Sequence, residues 1–385
     1  MKSKFLAFSW LAAAAMTFGF ASCSNEDTVV SAGDEYIVLE AEAIAKVDAG
    51  TRTDFPVNED GLNFKWSAGD QIVVMSEDGT RNFGVLTLSE GAGESTGTFN
   101  GTIMTRATDT RANIFYLGKK LNTGLSDMNT EQDFNISSQL TANENITDYG
   151  VMFASTQIER VNGKVTFNFT VKSVLSYARF RFHLPEGVVA NDEAITINGA
   201  NIFNAFTLSL ADASLNNKIE GDIVITPNWA TNDAFMIFVP GTDAVTKFAV
   251  NIDGKTYKAE LDAREYMADM FFCGGQPLHG KDIYFSENGE WTITYMNGGK
   301  VFITDTDHNK FVPSFTKYIT DDVPEAEANM EFLGWSDTEG GAVKYHAGDA
   351  VTMTRPVTEM TVYAVWKKTT SEAGVTAPGS TGTGY

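Results

Sequence analysis

The sequence contains very few cysteines, with only Cys23 and Cys273 among 385 residues. Two cysteines form at most one disulfide, which excludes the multi-bridge frameworks of small secreted domains. The stability of the fold must therefore come from apolar cores. Cys273 lies in the apolar stretch Phe271-Phe272-Cys273. We expect it to be a small buried side chain rather than a nucleophile.

Positive charge is also scarce, since 28 Lys and Arg residues face 50 Asp and Glu residues, for a net charge of −22. Loss of Lys2 and Lys4 with a cleaved signal peptide would bring the mature value to −24. Nucleic acids and bare anionic membranes bind clustered Lys and Arg, so we expect neither as a partner. The negative charge suits an exterior that resists non-specific association.

Long hydrophobic runs are missing apart from one near the start, at residues 5–20. This run is shorter than the ~20 apolar residues that a membrane-spanning helix needs. A short positive start precedes it, and the small residues Ala21 and Ser22 follow it. This is the layout of a secretory signal peptide, which we assign to residues 1–22. A retained membrane helix is the less favoured interpretation.

The stretch Ala21-Ser22-Cys23 resembles the bacterial lipobox, in which a small residue precedes a cysteine that receives lipid. Glu26 and Asp27 follow closely and resemble the export signal of surface-exposed lipoproteins in the Bacteroidota. The resemblance implies a lipid on Cys23, a linker over residues 23–34 and a place on the outer membrane surface. The alternatives are an ordinary secretory cut and a solvated, disordered start of the mature chain.

No long helical period is present, whereas alternation typical of strands recurs along the chain. Apolar residues alternate with polar ones over 165–171 and again over 178–184. Because a short connection joins these two segments, we predict neighbouring antiparallel strands. Residues 248–261 read as a hairpin around Asp253-Gly254, and residues 263–270 as one short helix. The pattern as a whole predicts an all-β protein built from β-sandwiches.

Several features follow one another in a set order over residues 36–286. They are Thr51-Arg52-Thr53 after the first strand, Trp66 to Asp70 before Ile72, Gln139 ahead of Asp148 to Ala154, the strands at 163–184, Phe238 to Gly241, and Asp253 to Tyr257. In this order they resemble the fimbrillin (Mfa-like) family of Bacteroidota surface lipoproteins. The resemblance implies two tandem transthyretin-like β-sandwiches and a pilus subunit or related adhesin.

The last part of the chain carries a second signature, made of Phe332 to Trp335, Tyr345 to Asp349 and Thr361 to Trp366. Residues 290–367 look like the internalin-type B-repeat, also named the Listeria–Bacteroides repeat. The resemblance implies a small β-grasp-like module of surface proteins. A single copy does not predict a long stalk. We expect Trp335 and Trp366 to fill the module's core rather than to form a sugar-stacking platform.

These patterns divide the chain into consecutive segments. We predict a signal peptide (1–22), a lipidated linker (23–34), an N-terminal fimbrillin-like sandwich (35–157), a C-terminal one (158–287), a B-repeat-like module (288–368) and a flexible tail (369–385). The tail is rich in Gly, Ser and Thr, which is typical of flexible segments.

Arg52 lies 29 residues after Cys23 and just past the predicted strand 36–47. In pilus-building fimbrillins, an arginine-specific protease removes the lipidated segment with its first strand, and the vacated groove accepts a strand from another subunit. The resemblance implies that Arg52 is a candidate for this cut. The alternative is an ordinary loop arginine on a subunit that stays anchored. The added module and tail favour this alternative, because they suit an accessory or terminal protein.

Motifs of enzymes and metal sites are missing, since no Gly-x-Ser-x-Gly, His-Glu-x-x-His or phosphate-loop pattern occurs. The four histidines (His183, His279, His308 and His346) show no metal-ligand spacing. Asp305 to Asn309 alternates oxygen ligands as a calcium loop does, but Lys310 and Thr316 stand where an EF-hand needs Gly and Glu. We expect a turn there, and we predict no enzyme activity, no cofactor and no metal.

The favoured hypothesis is a non-enzymatic, surface-exposed lipoprotein that serves adhesion, or a fimbrial accessory, tip or anchor subunit that assembles by strand addition. Its predicted partners are outer-membrane lipid through Cys23, other fimbrial subunits, and a host or bacterial surface protein or glycan. The alternative is a glycan-binding lipoprotein of a polysaccharide uptake system, which needs exposed aromatics. Trp229, beside Pro227 and Asn228 in a predicted loop, is the candidate ligand-binding aromatic.

Overall fold

The computed structural model describes residues 35–47, 64–118, 124–128, 130–139, 150–274 and 280–369. Within these ranges the regular structure is β-strand, apart from one short 3-10 helix at Leu125–Asp127. The predicted all-β class is confirmed. The predicted helix over residues 263–270 is wrong, because its first residues continue a long strand that ends at Tyr266.

The first ten strands are β1 (Tyr36–Val47), β2 (Gln71–Ser76), β3 (Asn82–Glu90), β4 (Thr96–Arg106), β5 (Arg111–Leu117), β6 (Glu131–Asn135), β7 (Ser138–Gln139), β8 (Val151–Gln157), β9 (Glu159–Val161) and β10 (Lys164–Ser173). Seven of them form a closed, barrel-like ring in the order β1-β4-β3-β2-β5-β8-β10, because β10 pairs back onto β1. The ring includes β10, which lies beyond the predicted end of the first sandwich at residue 157.

Alternating apolar residues of these strands fill the ring with one core. Trp66 lies at its centre and is 1% exposed. Its ring centroid is 5.1 Å from that of Phe64, 4.9 Å from that of Phe99 and 5.3 Å from that of Tyr116, each in an edge-to-face arrangement. Such pairs add roughly 0.5–1.5 kcal/mol each beyond the burial of their area. We conclude that Trp66 belongs to the core.

The next ten strands are β11 (Ser176–His183), β12 (Ile195–Asn198), β13 (Phe203–Ser209), β14 (Leu215–Glu220), β15 (Ile223–Ile225), β16 (Asp233–Phe238), β17 (Gly241–Ile252), β18 (Lys255–Tyr266), β19 (Phe271–Phe272) and β20 (Lys281–Tyr284). One sheet has the order β16-β11-β19, with β20 also on β11, and a second has the order β18-β17-β12-β15-β7. Their facing side chains share a second core. The predicted β17–β18 hairpin is confirmed, while a transthyretin-like arrangement stays a prediction.

The predicted antiparallel pair of β10 and β11 is wrong. Strand β10 pairs with β1, β8 and β9, whereas β11 pairs with β16, β19 and β20. The short connection at residues 174–175 therefore carries the chain from one core to the next. Alternation tells which face of a strand is buried, but every strand edge offers the same N–H and C=O groups, so it does not select the neighbour.

The last six strands are β21 (Trp291–Asn297), β22 (Lys300–Asp307), β23 (Ser314–Tyr318), β24 (Met330–Ser336), β25 (Ala350–Thr354) and β26 (Glu359–Lys368). They form a four-stranded sheet, β22-β21-β26-β24, and a two-stranded sheet, β23-β25. Trp291, Tyr295 and Trp335 are buried in this third core. Large aromatics thus supply much of the apolar area of a small module.

Buried polar contacts tie the sheets to one another. Gln139 lies on β7, in the five-stranded sheet, and links it to β16 of the facing sheet: its Nε2 donates to the carbonyl oxygen of Ile237 at 2.8 Å, and its Oε1 accepts from the Ile237 N–H at 2.9 Å. Asn113 donates from Nδ2 to the carbonyl oxygen of Ala211 at 2.7 Å. A buried polar group that loses its partner destabilises a protein by roughly 1–3 kcal/mol. These bonds therefore hold the sheets in one arrangement.

Candidate functional site

Strand β1 lies between two neighbours and closes the ring. It pairs antiparallel with β4 over eleven residue pairs, from Tyr36 opposite Arg106 to Lys46 opposite Thr96. It also pairs parallel with β10 over eight residue pairs, ending with Val47 opposite Val171. Without β1, the facing edges of β4 and β10 would expose two rows of unpaired backbone groups. Such a groove accepts another strand by backbone hydrogen bonding.

The inward face of β1 is made of small side chains. Ala41, Ala43 and Ala45 are buried, with Val47 after them. Each buried methyl or methylene group contributes only about 0.8 kcal/mol to folding. The side chains of β1 therefore bury little apolar area for a strand of this length. Main-chain hydrogen bonds along both edges provide a larger share of its attachment than in a strand with bulky inward residues.

Neighbouring residues limit the depth of the groove under β1. Ala43 lies opposite Phe99 on one side and Phe167 on the other, and both phenylalanines are buried. Ala45 lies opposite Gly97, where an added Cβ would come within 2.8 Å of the Trp66 ring. The Trp66 indole N–H also donates to the Ala45 carbonyl at 3.2 Å. The groove therefore selects a strand with small residues at alternate positions.

The outward face of β1 carries exposed apolar side chains. Val38 is 65% exposed, and Met104, opposite it on β4, is 45% exposed. The Arg106 guanidinium covers the ring of Tyr36, with 4.8 Å from its carbon to the ring centroid. Farther along β1, Glu40 pairs with Lys164 of β10 at 3.0 Å. This ion pair is exposed, so its contribution to stability is small.

Two of the predicted site residues, Cys23 and Arg52, lie outside the described residues. Trp229 lies in the described part and is half-buried against the second core. Its indole N–H donates to the carbonyl oxygen of Glu193 at 2.9 Å, and its ring centroid is 6.2 Å from that of Phe182. Its single polar group therefore already has a partner within the protein. The role of Trp229 in ligand binding stays a prediction.

Other tryptophans of the described ranges are packed into the protein. Trp66, Trp291 and Trp335 are 1% exposed or less. Trp366 is half-buried, contacts Phe332 edge-to-face and donates from Nε1 to Asn297 Oδ1 at 2.9 Å. Flat sugar platforms need exposed aromatic faces. Each tryptophan in the described ranges is buried or half-buried.

The acidic stretch that resembles a calcium loop forms ion pairs with a lysine side chain of the same module. Asp305 and Asp307 lie on β22, and both carboxylates contact Nζ of Lys317, with 3.1 Å to Asp305 Oδ1. The Lys317 side chain is only 2% exposed, so its charge requires these partners. No cluster of three or more His, Cys, Asp or Glu residues in the described ranges could hold a metal ion. The sequence analysis did not identify Lys317 as part of this cluster. The only local sign of its role is that a charged residue occupies an inward position of strand β23.

One histidine shares a carboxylate with an arginine on the outer face of β11. His183 Nε2 and Arg181 Nε each lie 2.7 Å from Asp282 Oδ1, and the His183 ring stacks on Tyr284. Burial raises the pKa of Asp282, but the hydrogen bonds from His183 and Arg181 outweigh it and leave the pKa below its ordinary value. An ionised Asp282 thus holds two cationic or hydrogen-bonding partners, as in a surface ion-pair cluster.

Within the described ranges, no helix has the length and apolar character of a membrane span. No protein-family model and no curated protein matches the chain.

Solved structures from Bacteroides and Parabacteroides species resemble the chain at low identity. A candidate cell adhesion protein from Bacteroides ovatus has a TM-score of 0.40 and 15% identity, over 61% of this chain and 89% of that one. Another candidate cell adhesion protein, from Bacteroides uniformis, has a TM-score of 0.38 and 13% identity, over 71% of this chain and 98% of that one. A fimbrial assembly protein from Parabacteroides distasonis has a TM-score of 0.37 and 8% identity, over 62% and 90%. Similarity at this level assigns neither a family nor a function.

Proposed function

We propose that this chain is a non-enzymatic surface lipoprotein that serves adhesion as an accessory, tip or anchor subunit of a fimbrium. Lipid on Cys23 would hold it to the outer membrane. Strand β1 would be its assembly element, because it is the first ring strand in the chain and its removal would open a groove between β4 and β10. The proposal joins the lipobox-like start of the sequence to the fimbrillin resemblance of residues 36–286.

The observation that carries the proposal is the way β1 is attached. It has backbone partners along both edges, and its inward residues are alanines rather than bulky side chains. A strand of this kind can be replaced by another chain at little loss of side-chain packing, since the backbone ladder is the same for any sequence. Alternate small residues then set which strands fit.

Arg52 defines two versions of the proposal. If Arg52 is cut, the lipid serves only for delivery and the mature protein begins at Thr53. If it is not cut, Cys23 anchors the whole protein and β1 stays in its own ring. We favour the uncut form, because the added module at residues 288–368 suits a terminal subunit. The N-terminal mass of protein recovered from cells distinguishes them, and a chain that begins at Thr53 would contradict the uncut form.

The strand-addition step can be tested on the folded chain. A site for a specific protease is placed at Arg52, the purified protein is cut, and a labelled peptide of residues 36–47 is added in excess. We expect slow uptake of the peptide into the cut protein and none into the uncut protein. The same peptide with Ala43→Leu is the matched control and should be excluded. Equal uptake of both peptides would contradict the selection of small residues.

A second test uses a pilin partner. Deletion of residues 36–47 should change co-assembly with that partner, because the groove between β4 and β10 is then open. Unchanged co-assembly would rule out β1 as the assembly element.

The alternative, glycan capture for a polysaccharide uptake system, finds less support. In the form that stacks sugar rings on tryptophan, it requires exposed aromatic faces, and the tryptophans of the described ranges are buried or half-buried. We therefore do not propose it as the main function.

A further inference from the structure

The hairpin formed by β8, β9 and β10 is open in its middle. Phe153 of β8 pairs with Lys172, and Glu159 of β9 pairs with Thr166, in one continuous antiparallel register. Between these points, residues 154–158 and 167–171 form no ladder pairs with each other. One side-chain contact crosses the opening, from Thr156 Oγ1 to the Asn168 carbonyl at 3.5 Å. The ladder between these strands is therefore interrupted over five residues while the register stays the same on both sides.

An interrupted ladder of this kind leaves backbone N–H and C=O groups without a partner on the neighbouring strand. N–H and C=O groups along a strand edge must bind another chain, water or a ligand. The opposite edge of β10 is occupied, since Ala43 to Val47 of β1 pair with residues 167–171 there. The unpaired edges of β8 and β10 therefore face each other across the opening.

A cleft of about 680 Å³ lies over this opening, between the ring and the second group of strands. Its wall includes Phe153, Ser155, Thr170, Lys172, Leu215 and Lys218. The size is that of a small-molecule site, and such sites are common where two packed units meet. Hydroxyl groups, open backbone groups and the aromatic rings of Phe153 and Phe169 surround the same space. The lining is therefore suited to a polar ligand rather than to a purely apolar one.

Two lysines give the cleft a positive character on a strongly negative protein. Lys172 is exposed on β10. Lys218 Nζ donates to the Pro240 carbonyl at 2.7 Å, and burial lowers its pKa. The acid in the lining, Asp212, is bound by the hydroxyl and N–H of Ser214 at 2.8 and 3.0 Å. The bonds from Ser214 lower the pKa of Asp212 and keep it ionised. Because Lys218 is bound to the Pro240 carbonyl, Lys172 is the main group that can bind an anion entering the cleft.

We infer that this cleft binds a carboxylated saccharide of one or two sugar rings. Sugar hydroxyls both donate and accept, so they can bind the open N–H and C=O groups of β8 and β10. The carboxylate would bind Lys172, with Lys218 as a second positive charge. An extended acidic peptide fits less well, because paired residues close the opening at both ends. This site does not use stacking on tryptophan, and it stands whether or not β1 is exchanged.

The test compares two probes that differ in one group. Methyl β-D-glucuronide carries a carboxylate where methyl β-D-glucoside carries a hydroxymethyl group. We expect the full chain to bind the glucuronide at least about tenfold more tightly, because charge-assisted hydrogen bonds are roughly twice as strong as neutral ones. Saturation-transfer NMR titrations measure both affinities. Equal binding of the two probes, or no binding of the glucuronide, would overturn the inference.

Variants locate the site. Lys172→Gln should weaken glucuronide binding about tenfold and leave glucoside binding and the melting temperature unchanged. Lys247→Gln is the matched control, because Lys247 is an exposed lysine on β17 that does not line the cleft. It should change neither affinity. An unchanged affinity in Lys172→Gln would place the glucuronide elsewhere and overturn the assignment. An acetylated hexaglutamate peptide that displaces the glucuronide and binds more tightly would identify a peptide site instead.

Discussion

Strands β1 and β11 both have neighbours on two edges, yet they are attached in different ways. The inward face of β1 carries Ala41, Ala43 and Ala45, whereas that of β11 carries Ala178, Phe180 and Phe182. Phe180 is fully buried, and its ring centroid is 5.2 Å from that of Phe248. The comparison indicates that β11 is held by apolar burial and β1 mainly by its backbone ladder. The two strands thus differ in the volume of their inward side chains rather than in pairing.

The largest effect should come from Phe180→Ala in β11. Removal of a buried phenylalanine ring lowers the free energy of unfolding by about 3–5 kcal/mol, because a cavity remains where the ring was. Phe302→Ala is the control, since Phe302 is 37% exposed, and it should cost about 1 kcal/mol or less. Urea unfolding measures both. Similar losses in the two variants would mean that β11 is not held by core burial.

An intermediate effect is expected from Ala43→Leu in β1. The added carbons meet Phe99 and Phe167, which lie opposite Ala43 on the two neighbouring strands. Overpacking of this kind destabilises proteins by about 1–3 kcal/mol. Glu42→Leu places the same side chain on the outward face and should change stability by no more than about 0.5 kcal/mol. If both variants unfold at the same urea concentration, the groove is wider than the structure indicates.

The smallest effect concerns a turn of the ring and its response to acid. Hydrogen bonds from the Ser76 hydroxyl and the Thr80 N–H lower the pKa of Asp78 from 3.8 to about 2. A lowered folded-state pKa stabilises the ring above pH 3.8, and this contribution disappears as the pH falls through about 2. Because Asp78 is exposed, we expect about 1 kcal/mol or less.

The measurement for Asp78 is urea unfolding at pH 5 and pH 2. Asp78→Asn should be less stable than the natural chain at pH 5, and the difference should shrink at pH 2. Asp192→Asn, in an exposed loop, is the control with no expected difference at either pH. A difference for Asp78→Asn that persists unchanged at pH 2 would show that ionisation of Asp78 is not its cause.

Local signals predicted several elements well. Strand β1 matches the predicted segment 36–47, and the predicted turn at Asp253-Gly254 joins β17 to β18. A second Asp-Gly pair, Asp78-Gly79, lies in the turn between β2 and β3. Gly79 has a φ of +69°, as expected of such a turn. Gly79 also allows a close approach of two backbone segments, since an added Cβ would lie 2.5 Å from the backbone of Ala211. This second role could not be predicted from the sequence. That contact joins residues far apart in the sequence.

The candidate groove and the cleft were not predictable from alternation. Nothing in residues 36–47 indicates that their neighbours are β4 and β10, and residues 165–171 were expected to pair with β11 instead. The cleft depends on an opening in a hairpin whose sequence alternates normally on both sides. Lys172 and Lys218 meet there only because two separate groups of strands pack together.

The sequence by itself determined the strands, their buried faces, the scarcity of cysteine and the lipobox-like start, because each depends on residues close together in the chain. Only the tertiary structure decided which strands pair, that β1 closes the ring, and that an open hairpin faces two lysines. The reason is physical: side-chain periodicity is a local property, whereas backbone edges are chemically alike. Which strand edges pair therefore depends on how all the buried faces of the strands pack together.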